Sequence, residues 1–466
     1  MTAVSRGMPA LSDAESWAYE TFATVDLGDA RRTRRLVAVA AALARSPAGA
    51  VAAAVQAPAG REAAFRFLAS EQFDVCDLGD GITDATLRRC SGTTFCAVDS
   101  ASISLSDEAR SRDVGGVGSW RNRGRGLHAI TMVAAGDNGA PVGILGPQWW
   151  ARTERTPPGS YRSHRSLQTE TRFVVHALQR VEDRRRALGV DTKLWFQLDR
   201  GFDAWPVFQL ARDLGLLMTV RSATDRKVRT RRGSGYLRAT ARRAPRLGIF
   251  TVRVPERADR PARTATLALR STEVNLQLPV GGTRAESAPV TVVYAEEERY
   301  LGPDRLRWIL LTTAKVTKLA EAYAVVLGYT TRWLIEDLHR AWKRGWMNVE
   351  KTQLRRRNSL CKWATLHLAL AARALRLARL ARSEPHRAST DEFTQTEIHA
   401  ILLLRTRAKP GERPPPSLSE IVLLLAELGG YDRYSKKPAG ATVIGRGLER
   451  IASLAQGLEL LGDTKK

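Results

Sequence analysis

Apolar residues recur at helical spacing from Ser12 to about Phe73. In "LGDARRTRRLVAVAAALARS" an arginine cluster leads into an apolar stripe, and "GREAAFRFLAS" begins a further helix after a Gly-rich loop. From about Gly92 the pattern changes to short runs rich in β-branched and aromatic residues, "TTFCAVDS", "HAITMVAAG" and "APVGILGPQWW", which read as strands. The helical stretch "TETRFVVHALQRVEDRRRAL" follows, then "TKLWFQLDRGFDAW" and "LLMTVRS". Strands, a helix and strands again predict a mixed α/β sheet covered by helices. Between about Arg226 and Arg307 the helical period disappears, and "GIFTVRVP", "ATLALRS", "EVNLQLPV" and "PVTVVYAEE" predict an all-β insertion. The strand "LRWILLTTAK" and two helical stretches come next, and "KPGERPPPS" sets off a carboxy-terminal helical piece.

The first of those two helical stretches, "YTTRWLIEDLHRAWKRG", carries an unusual charge pattern. At roughly 100° per residue, Arg332, Glu336 and Lys343 fall within about 60° of Tyr329, while Leu334, Ile335, Leu338, Ala341 and Trp342 make the opposite, apolar face. The stripe of four is expected to point away from the core. For this helix taken alone, a pairing of Glu336 with Arg332 or Arg340 at helical spacing is the favoured account of the carboxylate, since structural ion pairs are common.

Composition changes the weighting. The 466 residues include 73 Lys plus Arg against 48 Asp plus Glu, a net charge of +25, which points to a polyanionic partner such as nucleic acid. An apolar fraction of 44% is that of a globular protein with a sizeable core. No apolar run reaches the roughly 18–20 residues of a membrane helix, and the amino terminus has no apolar signal region. The four cysteines form no C-x-x-C pair, which fits a reduced, bacterial-type cytoplasm and neither a disulfide framework nor a zinc site.

Asp99 closes the apolar run "FCAV" and Asp199 closes "LWFQL". Functional groups gather beyond strand ends in α/β sheets, but a strand-end Asp is equally a turn former or helix cap. With Glu336 these make a set of three hard oxygen ligands, the type that holds Mg²⁺ together with substrate phosphate oxygens. Two such ions can activate the attacking oxygen and stabilise the leaving one in phosphoryl transfer. His128 and His339 lack a second His or Cys at ligand spacing and read as satisfied structural side chains.

Tyr329, two residues, Arg332, three residues, Glu336, six residues and Lys343 together resemble the Y-R-E-K signature of DDE transposases of the insertion-sequence-four family. "VDSASISL" and "LDRGFDAW" are similar to that family's two Asp strands, though Ser-Ala-Ser follows Asp99 where Thr is usual. "LGDARRTRRL" with "AAFRFL" resembles its DNA-binding domain, and "LAELGGY" with "GLERI" its dimerising carboxyl terminus. The resemblance implies an RNase H-like catalytic core at 76–385, interrupted by the insertion at about 226–307. It also implies a helical DNA-binding domain at 1–75 and a helical dimerisation domain at 386–466.

Carried over residue by residue, the resemblance makes Asp99, Asp199 and Glu336 the ligands of two Mg²⁺ ions, with Mn²⁺ able to substitute. Tyr329, Arg332 and Lys343 would hold phosphates at the cleavage point. Trp308 and Trp333 would receive and displace a flipped base, the alternative for both being core packing. Arg221, Arg31, Arg35 and Arg66 align with DNA contacts, the alternative being a solvated basic face. The implied activity is cut-and-paste transposition: a homodimer pairs terminal inverted repeats, cleaves them through a DNA hairpin and joins the 3′-hydroxyls to target DNA, in a nucleoid-associated setting. A structure-selective nuclease of the same fold and a non-catalytic or inhibitory DNA-binding relative remain as alternatives.

Overall fold

The computed structural model describes residues 13–118, 124–152, 165–254, 261–280, 284–406, 416–435 and 437–463. Its strands are β1 Thr93–Leu105, β2 Gly115–Val117, β3 Gly124–Ala135, β4 Pro141–Trp150, β5 Lys193–Leu198, β6 Leu217–Arg221, β7 Lys227–Thr230, β8 Gly233–Tyr236, β9 Arg246–Val254, β10 Arg263–Val280, β11 Arg284–Glu297 and β12 Arg307–Thr312. All join one mixed sheet of the order β2-β3-β1-β5-β6-β12-β11-β10-β7-β8, with β4 on β3 and β9 on β10.

Alternation in β1 sends Cys96 and Val98 into the core beneath one face and leaves Phe95 and Ala97 for the other. β1 runs antiparallel to β3 and parallel to β5, which is parallel to β6. These central strands are buried on both faces, as parallel strands are.

The stretch expected to be an all-β insertion differs in two respects. It carries a short helix, Leu237–Arg243, in which only Leu237 and Ala241 are buried, too brief a period to stand out in the sequence. Its strands also do not make a sheet of their own: β12 returns beside β6, and β11, β10, β7 and β8 extend the same sheet outward.

The amino- and carboxy-terminal helical pieces share a core with the helix Arg357–Ser383. Trp363 Nε1 donates to the Gly49 carbonyl at 2.7 Å, and the buried Lys362 donates to the Ser70 carbonyl at 2.7 Å with its ammonium 3.7 Å from the Phe73 ring centre. Burial pulls this Lys362 ammonium down to about 8 against the opposing charges of Asp74, Asp77 and Glu71. The last helix, Ala441–Asp463, buries Ile444, Leu448, Ile451 and Ala455 in that same core, so this apolar face is covered within the chain.

Candidate active site

Strand register assembles the site. Val98 pairs with Leu198 and Leu198 with Val220, so Asp99, Asp199 and Arg221 follow side by side across the ends of β1, β5 and β6. Residues exactly one hundred apart in the chain are thereby neighbours in one row. Asp199 also serves the turn former's role: its Oδ1 accepts from the Gly201 N–H at 2.7 Å and caps the 3₁₀ turn Arg200–Phe202. Asp99 Oδ1 accepts from the Ser100 N–H at 2.8 Å.

Glu336 reaches this row by way of two helices. The helix Leu319–Thr331 packs on β1 and β5, and its Gly328 sets how closely. A Cβ at Gly328 would stand 2.5 Å from the Phe95 ring and 3.0 Å from Gln197 Nε2, and these residues lie four positions before Asp99 and two before Asp199. The chain then turns at Arg332 into the helix Trp333–Arg340, which ends in a π turn at Ala341–Gly345. Such π turns interrupt helices most often at functional sites.

Because the helix is broken, the expected stripe pointing away from the core is not what forms. Tyr329 is buried, the Arg332 guanidinium is nearly so at 12% exposure, and Glu336 alone of the four is half exposed. A wheel of constant steps holds only within Trp333–Arg340, and the stripe it described lies against the carboxylate row instead of open solvent.

Arg332 sits between the acids. Its Nη2 donates to Glu336 Oε1 at 2.6 Å and its Nη1 lies 3.5 Å from Asp99 Oδ2, while its Nε is buried without a hydrogen-bond partner. The pairing of Glu336 with Arg332 is therefore real, and it takes place over Asp99. Burial and the neighbouring Asp199 charge push the Asp99 carboxyl up to about 6, Glu336 adding to the rise while Arg332 and the Ser100 N–H oppose it. The three carboxylates thus share one electrostatic field, undercompensated by the cation present. Among the described residues no three His, Cys, Asp or Glu side chains stand close enough together to hold a metal ion as arranged here.

Two further side chains fix the helix that carries Glu336. His339 Nε2 lies 2.7 Å from Thr131 Oγ1, and Thr131, the cross-strand partner of Asp99, donates to the Asp99 carbonyl at 3.3 Å. Burial, with the charges of Lys343 and Arg332, holds the imidazole down to about 3, so it is neutral here. Burial also lowers the Lys343 ammonium, against the attraction of Glu350 and Asp99. Glu350 was not singled out in the sequence, yet its Oε1 accepts from the Ser104 N–H at 2.9 Å and its Oε2 meets Arg344 at 3.2 Å. It lies beyond the end of the helix that carries Glu336, so no helical period marks it.

The tryptophans divide. Trp308, on β12, is 5% exposed and packs edge-on against Tyr329 at 5.9 Å and Trp333 at 6.4 Å, which is the core-packing alternative. Trp333 is 38% exposed and faces outward beside it. Arg31 and Arg35 lie exposed one turn apart on the helix Ala30–Arg45, whose amino end is capped by Asp29. Arg66, on the helix Pro58–Ala69, is exposed with only a loose 3.8 Å pairing to Glu62.

Gly328→Ala is expected to lift the helix from the sheet, costing about 1–3 kcal/mol by overpacking, because the Phe95 ring is itself buried and cannot yield. Urea unfolding measures the loss. An unchanged midpoint would show that the close approach does not constrain the helix.

Residues 14–73 match a family model described as transposase DNA-binding. The amino-terminal piece, with Arg31, Arg35 and Arg66 on its surface, is thus similar to the DNA-binding domains of transposases, which supports DNA as a partner. Among the described residues, no helix is long and apolar enough to cross a membrane.

Proposed function

We propose that this chain is a DDE transposase of the insertion-sequence-four type, with an RNase H-like core that cuts and joins DNA by metal-dependent phosphoryl transfer. The observation that carries the reading is the placing of Asp99 and Asp199 at the ends of adjacent parallel strands, with Glu336 brought into the same field by the helix Trp333–Arg340. The order β4-β3-β1-β5-β6, three antiparallel strands followed by two parallel to β1, supports an RNase H-like core. The transposase DNA-binding match supports the substrate class.

The residues fit Mg²⁺ by the chemistry of their donors: three hard carboxylates, of which Asp99 is raised by burial and then by the charges of Asp199 and Glu336. Bound by Asp99, Asp199 and Glu336, two such ions would supply Lewis-acid activation of water or a 3′-hydroxyl. The chain's own residues do the rest. Arg332 exchanges its carboxylate partners for a DNA phosphate, freeing Glu336 and Asp99 as ligands. Lys343, beside Asp99, neutralises a second phosphate. Water attacks a phosphodiester and releases the 3′-hydroxyl; that hydroxyl attacks the opposite strand to give a hairpin, and after hairpin opening it attacks target DNA. Each step breaks one P–O bond as another forms. Pairing of two ends calls for a homodimer, through surfaces other than the covered face of the helix Ala441–Asp463. The burial of Trp308 favours, to that extent, a second reading: a nuclease of the same fold that makes no hairpin.

The test is cleavage of a duplex carrying the element's terminal repeat, with products resolved on denaturing gels. Nicks, hairpins and joined products together support the transposase; nicks alone support the nuclease. Arg35→Ala and Arg66→Ala are each expected to weaken end binding about three- to tenfold, with affinity falling steeply as salt rises because every neutralised phosphate releases counterions. An affinity indifferent to salt would refute a phosphate-binding surface.

A further inference from the structure

The hairpin formed by β7 and β8 ends the sheet on the side away from the amino-terminal domain, and it is strongly basic. Lys227, Arg229, Arg231, Arg232, Arg238 and Arg243, in the hairpin and the helix Leu237–Arg243 that follows, are all exposed and make no ion pair with the described residues. No acid lies between Arg226 and Arg243, and the nearby Asp225 uses its Oδ1 on the Arg238 N–H. Arg226 is excluded from the set, since it is paired with Asp203.

Register relates this hairpin to the carboxylates. From Asp199 the row continues through Arg221, Leu310 on β12, Val293 on β11 and Ser271 on β10. By the β10–β7 pairing of Asn275 with Arg229, Thr230 and Gly233 are level with Val274, three residues or about 10 Å from Ser271, and the turn holding Arg231 and Arg232 extends from there towards the line of the acids. The hairpin stands six to seven strands from β1, or about 29–34 Å at the usual strand spacing. Sheet twist rotates the hairpin about that line and leaves its separation along it. One turn of duplex DNA is about 34 Å, so a backbone held at the carboxylates presents phosphates to the protein again at this distance.

We propose that the β7–β8 hairpin and the helix after it are a second duplex-DNA contact, gripping the phosphate backbone about one helical turn from the cutting site. This rests on the reading of the carboxylate row as that site. The contact is blind to sequence, since it offers only exposed cations to phosphates. Its effect is to make binding depend on duplex length: a duplex must span both places to use both.

The experiment compares the full chain with a variant carrying Arg229→Gln, Arg231→Gln, Arg232→Gln and Arg238→Gln. Fluorescence anisotropy without divalent metal follows binding to random-sequence duplexes of about 8 and about 24 base pairs, roughly 27 and 82 Å long. The expected result is a loss of about tenfold or more on the longer duplex, a salt slope reduced by about 0.9 per phosphate contact removed, and little change on the shorter one. Equal losses on both lengths would reduce the hairpin to a general charge effect and overturn the proposal. No loss on either would overturn it too, leaving the arginines to guard an edge strand against pairing, and light scattering would then show the variant aggregating. Melting curves confirm folding. Because no metal or cleavage enters, failure here is distinct from failure of the carboxylate reading, which strand cutting alone decides.

Discussion

Asp99→Asn, Asp199→Asn and Glu336→Gln are each expected to lower Mg²⁺-dependent strand cleavage on the order of a thousandfold or more, while leaving binding of the DNA end intact. Each removes a charged oxygen donor without removing a phosphate contact. Gel shifts and cleavage assays on one labelled duplex separate the two effects, and substantial cleavage by any variant would take that residue out of the site. Stability supplies an independent arm. Asp99 is raised to about 6 in the fold from about 3.9 in the unfolded chain, so the folded state holds the extra proton between these values and loses stability as pH climbs through them. Asn has no proton to lose, and Asp99→Asn should be more stable than the parent at pH 7 by up to about 3 kcal/mol, with the gap closing towards pH 4. Unfolding by urea at both pH values measures this. A variant less stable at pH 7 would mean that the carboxylates do not burden the fold.

Trp308→Ala should destabilise the fold by about 3–5 kcal/mol, the usual loss for a large aromatic removed from a packed core. Trp308 touches Tyr329 and Trp333, so its cavity also loosens the turn at Arg332, and nicking and hairpin formation should fall together. Trp333→Ala, at an exposed position, should cost little stability and act on DNA instead. Unstacking a base at a hairpin end costs a few kcal/mol that an aromatic surface can offset, so this variant should nick normally and accumulate nicked product. Thermal melting paired with denaturing gels reads both. If Trp308→Ala melts as the parent does and loses only hairpins, the buried ring must come out to meet DNA, and the two roles are reversed.

Much of the candidate site was legible because its residues carry local signals. Asp99 and Asp199 interrupt apolar runs that only strands explain, and Glu336 with Arg332 lies at one-turn spacing in an amphipathic stretch. The same locality misled. A uniform helical wheel put Tyr329 on an outer stripe, whereas the turn at Arg332 and the π turn at Ala341–Gly345 redirect the chain, and both depend on packing against the sheet. Nothing local marks Gly328, whose close approach depends on Phe95 and Gln197 of the sheet beneath it. His339 showed no partner at ligand spacing, since Thr131 lies 208 residues away in the chain.

By itself the sequence determined which segments bury an apolar face, the mixed α/β class, the excess of positive charge and the acids at strand ends, because periodicity and composition act within a few residues. Tertiary structure decided the rest. The continuity of the insertion with the sheet that carries Asp99 and Asp199, the row joining those two to Arg221, the burial of Trp308 and the placing of Arg332 between two carboxylates all depend on strand register and helix contact between distant segments. Those are chosen by packing of the whole core, where a shift of one residue in a strand would exchange its faces and dismantle the row.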